Sequence, residues 1–225
     1  MSERAPKTGS KPMGVMKPLG VMKPLGVILA GGLSSRMGGG DKPLKTIGGR
    51  SILARVIARL APQCDGLILN ANGDPARFAP FGLTLAADSI AGFAGPLAGI
   101  LAGLDWAATH RPEVTDIISL PADCPFLPAD LVSGLEDARR TANTPLACAG
   151  SGGWSHPVIG LWPVAIRETL RAAILAGERK IDRFTPTLGI ARADWPVEPY
   201  DPFFNANAPE DLAEAEALAA RFPGA

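Results

Sequence analysis

The sequence has no net charge, few cysteines and no long apolar run, and each of these absences closes off a class of protein. Twenty-two Lys and Arg residues balance twenty-two Asp and Glu residues in a chain of 225. No global field favours a polyanion, so an anionic substrate has to be held by local charges and backbone N–H groups, and nucleic acid is not expected as a partner. Cys64, Cys124 and Cys148 are the only cysteines and lie far apart. That suits neither a disulfide framework nor a zinc ribbon and fits a reducing cytoplasm. No apolar stretch approaches the roughly 18 residues of a membrane span, so no membrane is expected either.

With 47% hydrophobic residues in 225, the chain can bury one sizeable core, and a single domain is expected. The first 25 residues stand apart, with Arg4, Lys7, Lys11, Lys17 and Lys23 against Glu3 alone. They also repeat the hexapeptide GVMKPL, at Gly14 to Leu19 and again at Gly20 to Leu25. Lys and Pro recur too often for the apolar region of a signal peptide, and the repeat is too short for a solenoid. Residues 1–25 are therefore expected to form a disordered leader, and residues 26–225 the folded domain.

From Gly26 onward, short runs rich in β-branched residues alternate with segments of helical period. GVILA precedes SILARVIARLAPQC, in which Ile52, Leu53, Val56, Ile57 and Leu60 share one face. GLILNAN, GLTLAAD and TDIISLPAD read as further strands, and PLAGILAGLDWAATH and PADLVSGLEDARR as helices, with Pro128 in the first turn of the latter. This alternation predicts an α/β, single-domain, Rossmann-like three-layer fold with a mostly parallel sheet and right-handed crossovers. After Thr141 the rhythm loosens into PLACAG, HPVIGLWP and a helix from about Val164 to Ala176, an antiparallel or mixed C-terminal portion. APEDLAEAEALAARF closes the chain as an amphipathic helix, with Ala208 where a capping side chain would be expected.

The chemistry begins with LAGGLSSRMGGGDKPL, residues 29–44. It follows the first strand, where doubly wound sheets bind ligands. No third glycine falls where GxGxxG needs one, and no GK[ST] closes a Walker loop, so a Rossmann dehydrogenase and a P-loop NTPase both lose ground. What remains is a loop of five glycines with Arg36 and Lys42. Its N–H groups could wrap a triphosphate as a nest, although a surface loop with ordinary solvated cations would look similar. Asp123 follows the apolar run IISLPA and so lies at a strand's carboxyl end, either facing the same crevice or forming a turn or cap.

The loop, together with NAN at Asn70 to Asn72, GPLAG at Gly95 to Gly99, PADCPFLP at Pro121 to Pro128, HP at His156, AGER at Ala176 to Arg179 and FNANAPED at Phe204 to Asp211, resembles the NTP-dependent nucleotidyltransferases. Within them it is most similar to the molybdenum cofactor guanylyltransferase family, over roughly residues 26–222. The resemblance implies transfer of GMP from GTP to the terminal phosphate of a molybdopterin cofactor, with Mg²⁺ as cofactor. Leu29, Ala30, Gly31 and Gly32 would meet the nucleotide through backbone groups, and Lys42 would bind its phosphates. Arg36, whose planar fork can bridge two oxygens, would hold the β- and γ-phosphates. Asn70 and Asp88 would bind guanosine, and Asp123 the metal. Asn205 and Asn207 would complete the metal or pterin end, with His156, Arg179 and Lys180 as candidates for the acceptor. A packed His156 and a solvated Arg179 and Lys180 would fit the residues equally well. Cys124 is expected to be a small packed residue rather than a nucleophile.

A cytidylyltransferase acting on the same cofactor, a nucleotidyltransferase for another phosphate acceptor, and a carrier that turns nothing over all remain open. Contact with other cofactor-biosynthesis proteins or apo-molybdoenzymes is compatible with the resemblance, and a monomer is expected.

Overall fold

A computed structural model of the chain describes residues 22–31, 42–90, 92, 95–206 and 209–223. The first strand, β1 (Leu25–Leu29), starts one residue before the expected boundary at Gly26. Ahead of it, Lys23 Nζ donates to the Pro62 carbonyl at 2.7 Å and the Pro24 carbonyl accepts from the Asp65 N–H. The rest of the expected leader, residues 1–21, lies outside the described residues.

Burial on both faces explains why β1 and β6 (Asp116–Pro121) read as nearly continuous apolar runs. Ile28, Ile118 and Leu120 face one layer, while Val27 and Ile117 face the other, the period-two alternation of a strand. The first layer is α1 (Ile52–Leu60), α3 (Leu131–Ala142) and α6 (Pro209–Arg221). The second is α2 (Pro96–His110), α4 (Arg167–Leu175) and α5 (Ile181–Leu188). α1 starts at Ser51, whose Oγ accepts from the Ala54 N–H at 3.2 Å, and it buries Ile52, Leu53, Val56 and Leu60.

With β4 (Leu67–Asn70), β5 (Thr84–Ala86), β7 (Leu146–Ser151), β8 (Trp154–Pro163) and β9 (Ile190–Trp195), the seven-stranded sheet has the order β5-β4-β1-β6-β8-β7-β9. β8 runs against both its neighbours, whereas the other pairings are parallel. A small hairpin of β2 (Thr46–Ile47) and β3 (Arg50–Ser51) stands outside this sheet. From β1 the chain winds outward through β4 and β5, then returns to place β6 on the other side of β1. The carboxyl ends of β1 and β6 therefore flank the topological switch point, where α/β sheets open a binding crevice.

The three-layer fold agrees with the sequence expectation, and four local features differ from it. α3 begins at Leu131, three residues past Pro128. Pro128 instead lies in the preceding turn, where its carbonyl accepts from Gln63 Nε2 and from the Leu131 N–H. The β2–β3 hairpin, α5 and β9 were not anticipated. In α5, Ile181, Phe184 and Thr185 turn inward at spacings of three and four, and that burial outweighs the helix-breaking tendency of Pro186. Ala208 lies outside the described residues.

Candidate active site

Three residues distant in sequence meet at the switch point. Lys42 follows the glycine loop and is only 8% exposed; its Nζ donates to Asp123 Oδ2 at 2.5 Å and to Asn205 Oδ1 at 2.8 Å. Asp123 stands two residues past β6, and its second carboxylate oxygen, Oδ1, is buried without a hydrogen-bond partner among the described residues. A capping or turn-forming aspartate would use its oxygens on nearby N–H groups. Among the described residues, Asp123 is hydrogen-bonded by Lys42 alone. A desolvated carboxylate oxygen with an open lone pair suits a hard cation that takes one carboxylate and draws its remaining ligands from phosphates and water. No cluster of three or more His, Cys, Asp or Glu residues exists among the described residues, so they form no dedicated protein cage for a metal.

At the far side of β1, Asn70 ends β4 and is 2% exposed. Its Nδ2 donates to the Ala86 carbonyl at 3.0 Å and to Asp88 Oδ1 at 2.9 Å. Asn72 closes the constellation, since its Nδ2 donates to Asp88 Oδ2 at 2.7 Å and its Oδ1 accepts from the Asp88 N–H at 3.1 Å. Two amides thus fix both oxygens of one carboxylate, and an ionised carboxylate has about four acceptor positions, so it can still receive donors from a ligand. The Leu29 carbonyl and the Ala30 N–H bond to Ala122 and Asn70, respectively, extending the sheet. This leaves the Ala30 carbonyl and the Gly31 N–H uncommitted to the sheet among the described residues.

The GPLAG segment has a packing explanation. A Cβ built on Gly99 would lie 2.4 Å from Asn70 Oδ1 and 2.9 Å from Leu29 Cδ2, and one on Gly103 would lie 2.7 Å from Val27 Cγ2. One turn apart on α2, these glycines let the helix lie directly on β1 and on the Asn70 amide. Gly99→Ala therefore has to displace Asn70. The expected result is a rise of about tenfold or more in the KM for nucleotide and a loss of about 1–3 kcal/mol of stability, read by initial rates and thermal denaturation. A Gly99→Ala protein with unchanged nucleotide affinity would show that Asn70 does not need this orientation.

On the other side of β6, Ser119 Oγ donates to the Val158 carbonyl at 2.7 Å and accepts from Trp162 Nε1 at 2.8 Å. This buried staple holds an irregularity in β8, across which pairing jumps from Cys148↔Gly160 to Ala149↔His156. Past the bulge, His156 shares a 2.8 Å hydrogen bond with Ser151 Oγ through Nε2 and packs on Phe203, with ring centroids 5.1 Å apart. Burial lowers the pKa of His156 below its ordinary value, against a weaker opposing pull from Asp201, so the imidazole is neutral at pH 7. Phe203 in turn lies two residues before Asn205, and its carbonyl faces Cys124 Sγ at 3.8 Å. Cys124 is fully buried and burial pushes its thiol well above the usual range, so it is a packed residue here, not a nucleophile.

The expected site residues thus divide. Lys42, Asp123 and Asn205 are in direct contact, and His156 reaches them through Phe203. Asn70 and Asp88 form a second constellation next to Gly31, one residue past Ala30 and two past Leu29. Arg179 and Lys180 are exposed at the start of α5, where Glu178 Oε1 accepts from both of their backbone N–H groups. They flank the α2, α4 and α5 layer, while His156 packs on Phe203 in the opposite layer. Gly32, Arg36 and Asn207 lie outside the described residues. Sequence reasoning singled out Asn72 within the NAN motif but not its role of anchoring the Asp88 carboxylate, and it passed over Ser151, Phe203 and Asp201, which carry no motif signal and matter only through tertiary contact.

Comparison with known proteins identifies the family and the fold. Residues 26–190 match the family described as MobA-like NTP transferase domain. The molybdenum cofactor guanylyltransferase of Bradyrhizobium sp. (strain ORS 278) is 63% identical over 194 residues, 86% of this chain and 92% of that protein. The protein of the same name from Nitrobacter hamburgensis is 64% identical over 194 residues, 86% and 93% of the two chains. The fold is that of the crystal structure of molybdopterin-guanine dinucleotide biosynthesis protein A from Archaeoglobus fulgidus, with a TM-score of 0.67 at 21% identity over 88% of this chain and 99% of that one. With the family model matching residues 26–190 and relatives 63% and 64% identical covering 86% of the chain, the chain belongs to the MobA-like NTP transferase family.

Proposed function

We propose that the protein is an Mg²⁺-dependent guanylyltransferase that transfers GMP from GTP to the terminal phosphate of a molybdopterin cofactor. In this reaction an oxygen of the acceptor phosphate forms a bond to the α-phosphorus of GTP while the bond from that phosphorus to the bridging oxygen of the β-phosphate breaks. Pyrophosphate leaves, and the product is molybdopterin guanine dinucleotide. The observation that carries the reading is the division of one sheet edge into two constellations. Asp88 and Asp123 are three strands apart, and strand spacing puts them roughly 14 Å from each other, about the span of a nucleoside with its first phosphate.

The Asp88 carboxylate favours guanine over the alternatives. Guanine presents two adjacent donors, N1–H and its exocyclic amine, which can meet a carboxylate in two parallel bonds. Cytosine and adenine present one donor beside an acceptor, and a carboxylate repels that acceptor. The names of the close relatives support the same substrates.

At the other end, the two substrates bring several negative charges together, so catalysis rests on neutralisation and in-line positioning. Asp123 would hold Mg²⁺, which when bound would neutralise phosphate charge. Lys42 would hold phosphate oxygens from its buried position, and Asn205 orients the Lys42 ammonium. The acceptor phosphate is already ionised at neutral pH, so no general base is needed to activate it. His156 lies on the acceptor side and offers a neutral ring for hydrogen bonding. No helix among the described residues is long and apolar enough to cross a membrane. The proposed setting of the reaction is the cytoplasm, with a single chain carrying the whole site.

Thermal denaturation in the presence of Mg²⁺ with GTP, CTP or ATP tests the nucleotide. At about 100 times its Kd, GTP should stabilise the protein by about 2.7 kcal/mol, a shift of roughly 5–10 °C for a domain of this size. CTP and ATP should give much smaller shifts, and an equal or larger one with CTP would defeat the guanylyl assignment. Pyrophosphate release from GTP that depends on added molybdopterin tests the reaction itself. A carrier would bind both ligands and release none.

A further inference from the structure

The most exposed large apolar side chain among the described residues is Trp154, at 76%, and it stands on the substrate edge of the sheet. It opens β8 directly after Gly152 and Gly153, whose φ angles of +56° and +84° make the tight two-residue turn that joins β7 to β8. A hairpin of this kind fixes the direction of the residue that follows. Trp154 pairs with Ser151 and lies two residues before His156, so all three share one face of the strand pair. On that face His156 packs on Phe203, which leads to Asn205, Lys42 and Asp123. Val197 adds a second exposed apolar group, its Cγ1 lying 3.4 Å from where a Cβ on Gly152 would be.

Nothing in nucleotide binding accounts for an indole here, because the base constellation lies at β4 and β5, on the opposite side of β1. We infer that Trp154 is the stacking platform for the acceptor's flat fused ring and sets which phosphate-bearing acceptors the enzyme takes. One strand spacing sideways and one to two residues along separate the backbones of Trp154 and Asp123 by roughly 6–8 Å, a reach that suits a fused heterocycle whose terminal phosphate lies at the metal end. Stacking needs a rigid aromatic face and tolerates variation in hydrogen bonding, and an indole supplies the largest such face. A sugar or alditol phosphate has no flat ring to place against it. This assignment rests on the proposed molybdopterin acceptor.

Initial-rate kinetics of pyrophosphate release and tryptophan fluorescence test it together. Trp154→Ala should raise the KM for molybdopterin about tenfold while leaving the KM for GTP within about twofold, as expected when binding energy shared by ground and transition states is removed. Trp154→Phe should recover most of that loss. Titration with molybdopterin in the absence of GTP should quench the emission of the wild-type protein, and the quench should shrink in the Phe variant. An unchanged acceptor KM in Trp154→Ala overturns the inference and leaves the guanylyltransferase reading intact. A parallel rise in both KM values, with no rescue by Phe, also overturns it, since that pattern reports damage to the hairpin. Wild-type protein that releases no pyrophosphate with molybdopterin defeats the functional reading and this assignment with it. Retained kinetics with lost capture of an apo-molybdoenzyme would make Trp154 a protein contact and overturn the stacking role.

Discussion

Asp123→Asn is expected to lower pyrophosphate release from GTP by about 10²- to 10³-fold and, because the buried Lys42 ammonium loses its counter-charge, to lower the melting temperature by roughly 2–10 °C. The substitution keeps the size of the side chain and an oxygen that can accept from Lys42 Nζ, which is 2.5 Å away in the native site. What it removes is the negative charge, and with it the proposed hold on a divalent cation by Oδ1, which is buried without a hydrogen-bond partner among the described residues. Mg²⁺ titrations should show the same loss, with the variant requiring far more metal for its residual turnover. An Asp123→Asn enzyme running at wild-type rate would remove Asp123 from the chemistry.

Lys42→Ala is expected to damage both stability and turnover. The ammonium is the hydrogen-bond donor to both Asp123 Oδ2 and Asn205 Oδ1, in a site where the Lys42 and Asp123 side chains are 10% and 19% exposed. Removing it leaves a largely desolvated carboxylate without its cation, at a cost of about 1–3 kcal/mol because some water still reaches Asp123. For a chain of this length that lowers the melting temperature by roughly 2–10 °C. Turnover should fall about 10²-fold or more, since phosphate charge loses a fixed counter-charge. The double variant Lys42→Ala/Asp123→Asn separates the two effects. A neutral amide has no charge left to compensate, so the double variant should regain much of the lost stability and none of the lost activity. If it melts no higher than Lys42→Ala, the ion pair is not what Lys42 contributes to the fold.

The two predictions bear on one exchange. In the ligand-free arrangement Lys42 neutralises the carboxylate that would hold the metal, and under the proposed function a bound triphosphate would supply a new partner for the ammonium. The site thus keeps its charges paired before substrate arrives, as buried ionic groups require.

Much of the architecture was legible in the sequence because burial on two faces leaves a direct trace in residue type. VIL in β1 and IISL in β6 read as interior parallel strands, and the alternation with helical segments implied a three-layer sheet. The glycine loop and Asp123 could be placed at carboxyl ends of strands by the same rhythm. α5 and β9 were not legible, since IDRFTPTL contains a proline and IARADW mixes charges with apolar residues. Those segments are held by packing: Ile181 and Phe184 enter the second core, and Trp195 lies over Gly134 with its Nε1 donating to Asp130.

Residue type and spacing alone determined the fold class and set the glycine loop after the first strand, because these depend on local pattern, whereas most polar groups of the candidate site were named through the family resemblance. Which groups face each other was decided only by the tertiary structure. Lys42 meets Asp123 and Asn205 across 81 and 163 residues, and Asp88 is gripped by two asparagines 18 and 16 residues away. Such contacts follow from strand order and helix approach, and strand order places β6 rather than β4 beside β8. The glycine at position 99 shows both halves of the relation. Its place in GPLAG could be read, whereas its reason, that a Cβ there would lie 2.4 Å from Asn70 Oδ1, exists only once α2 has docked on the sheet.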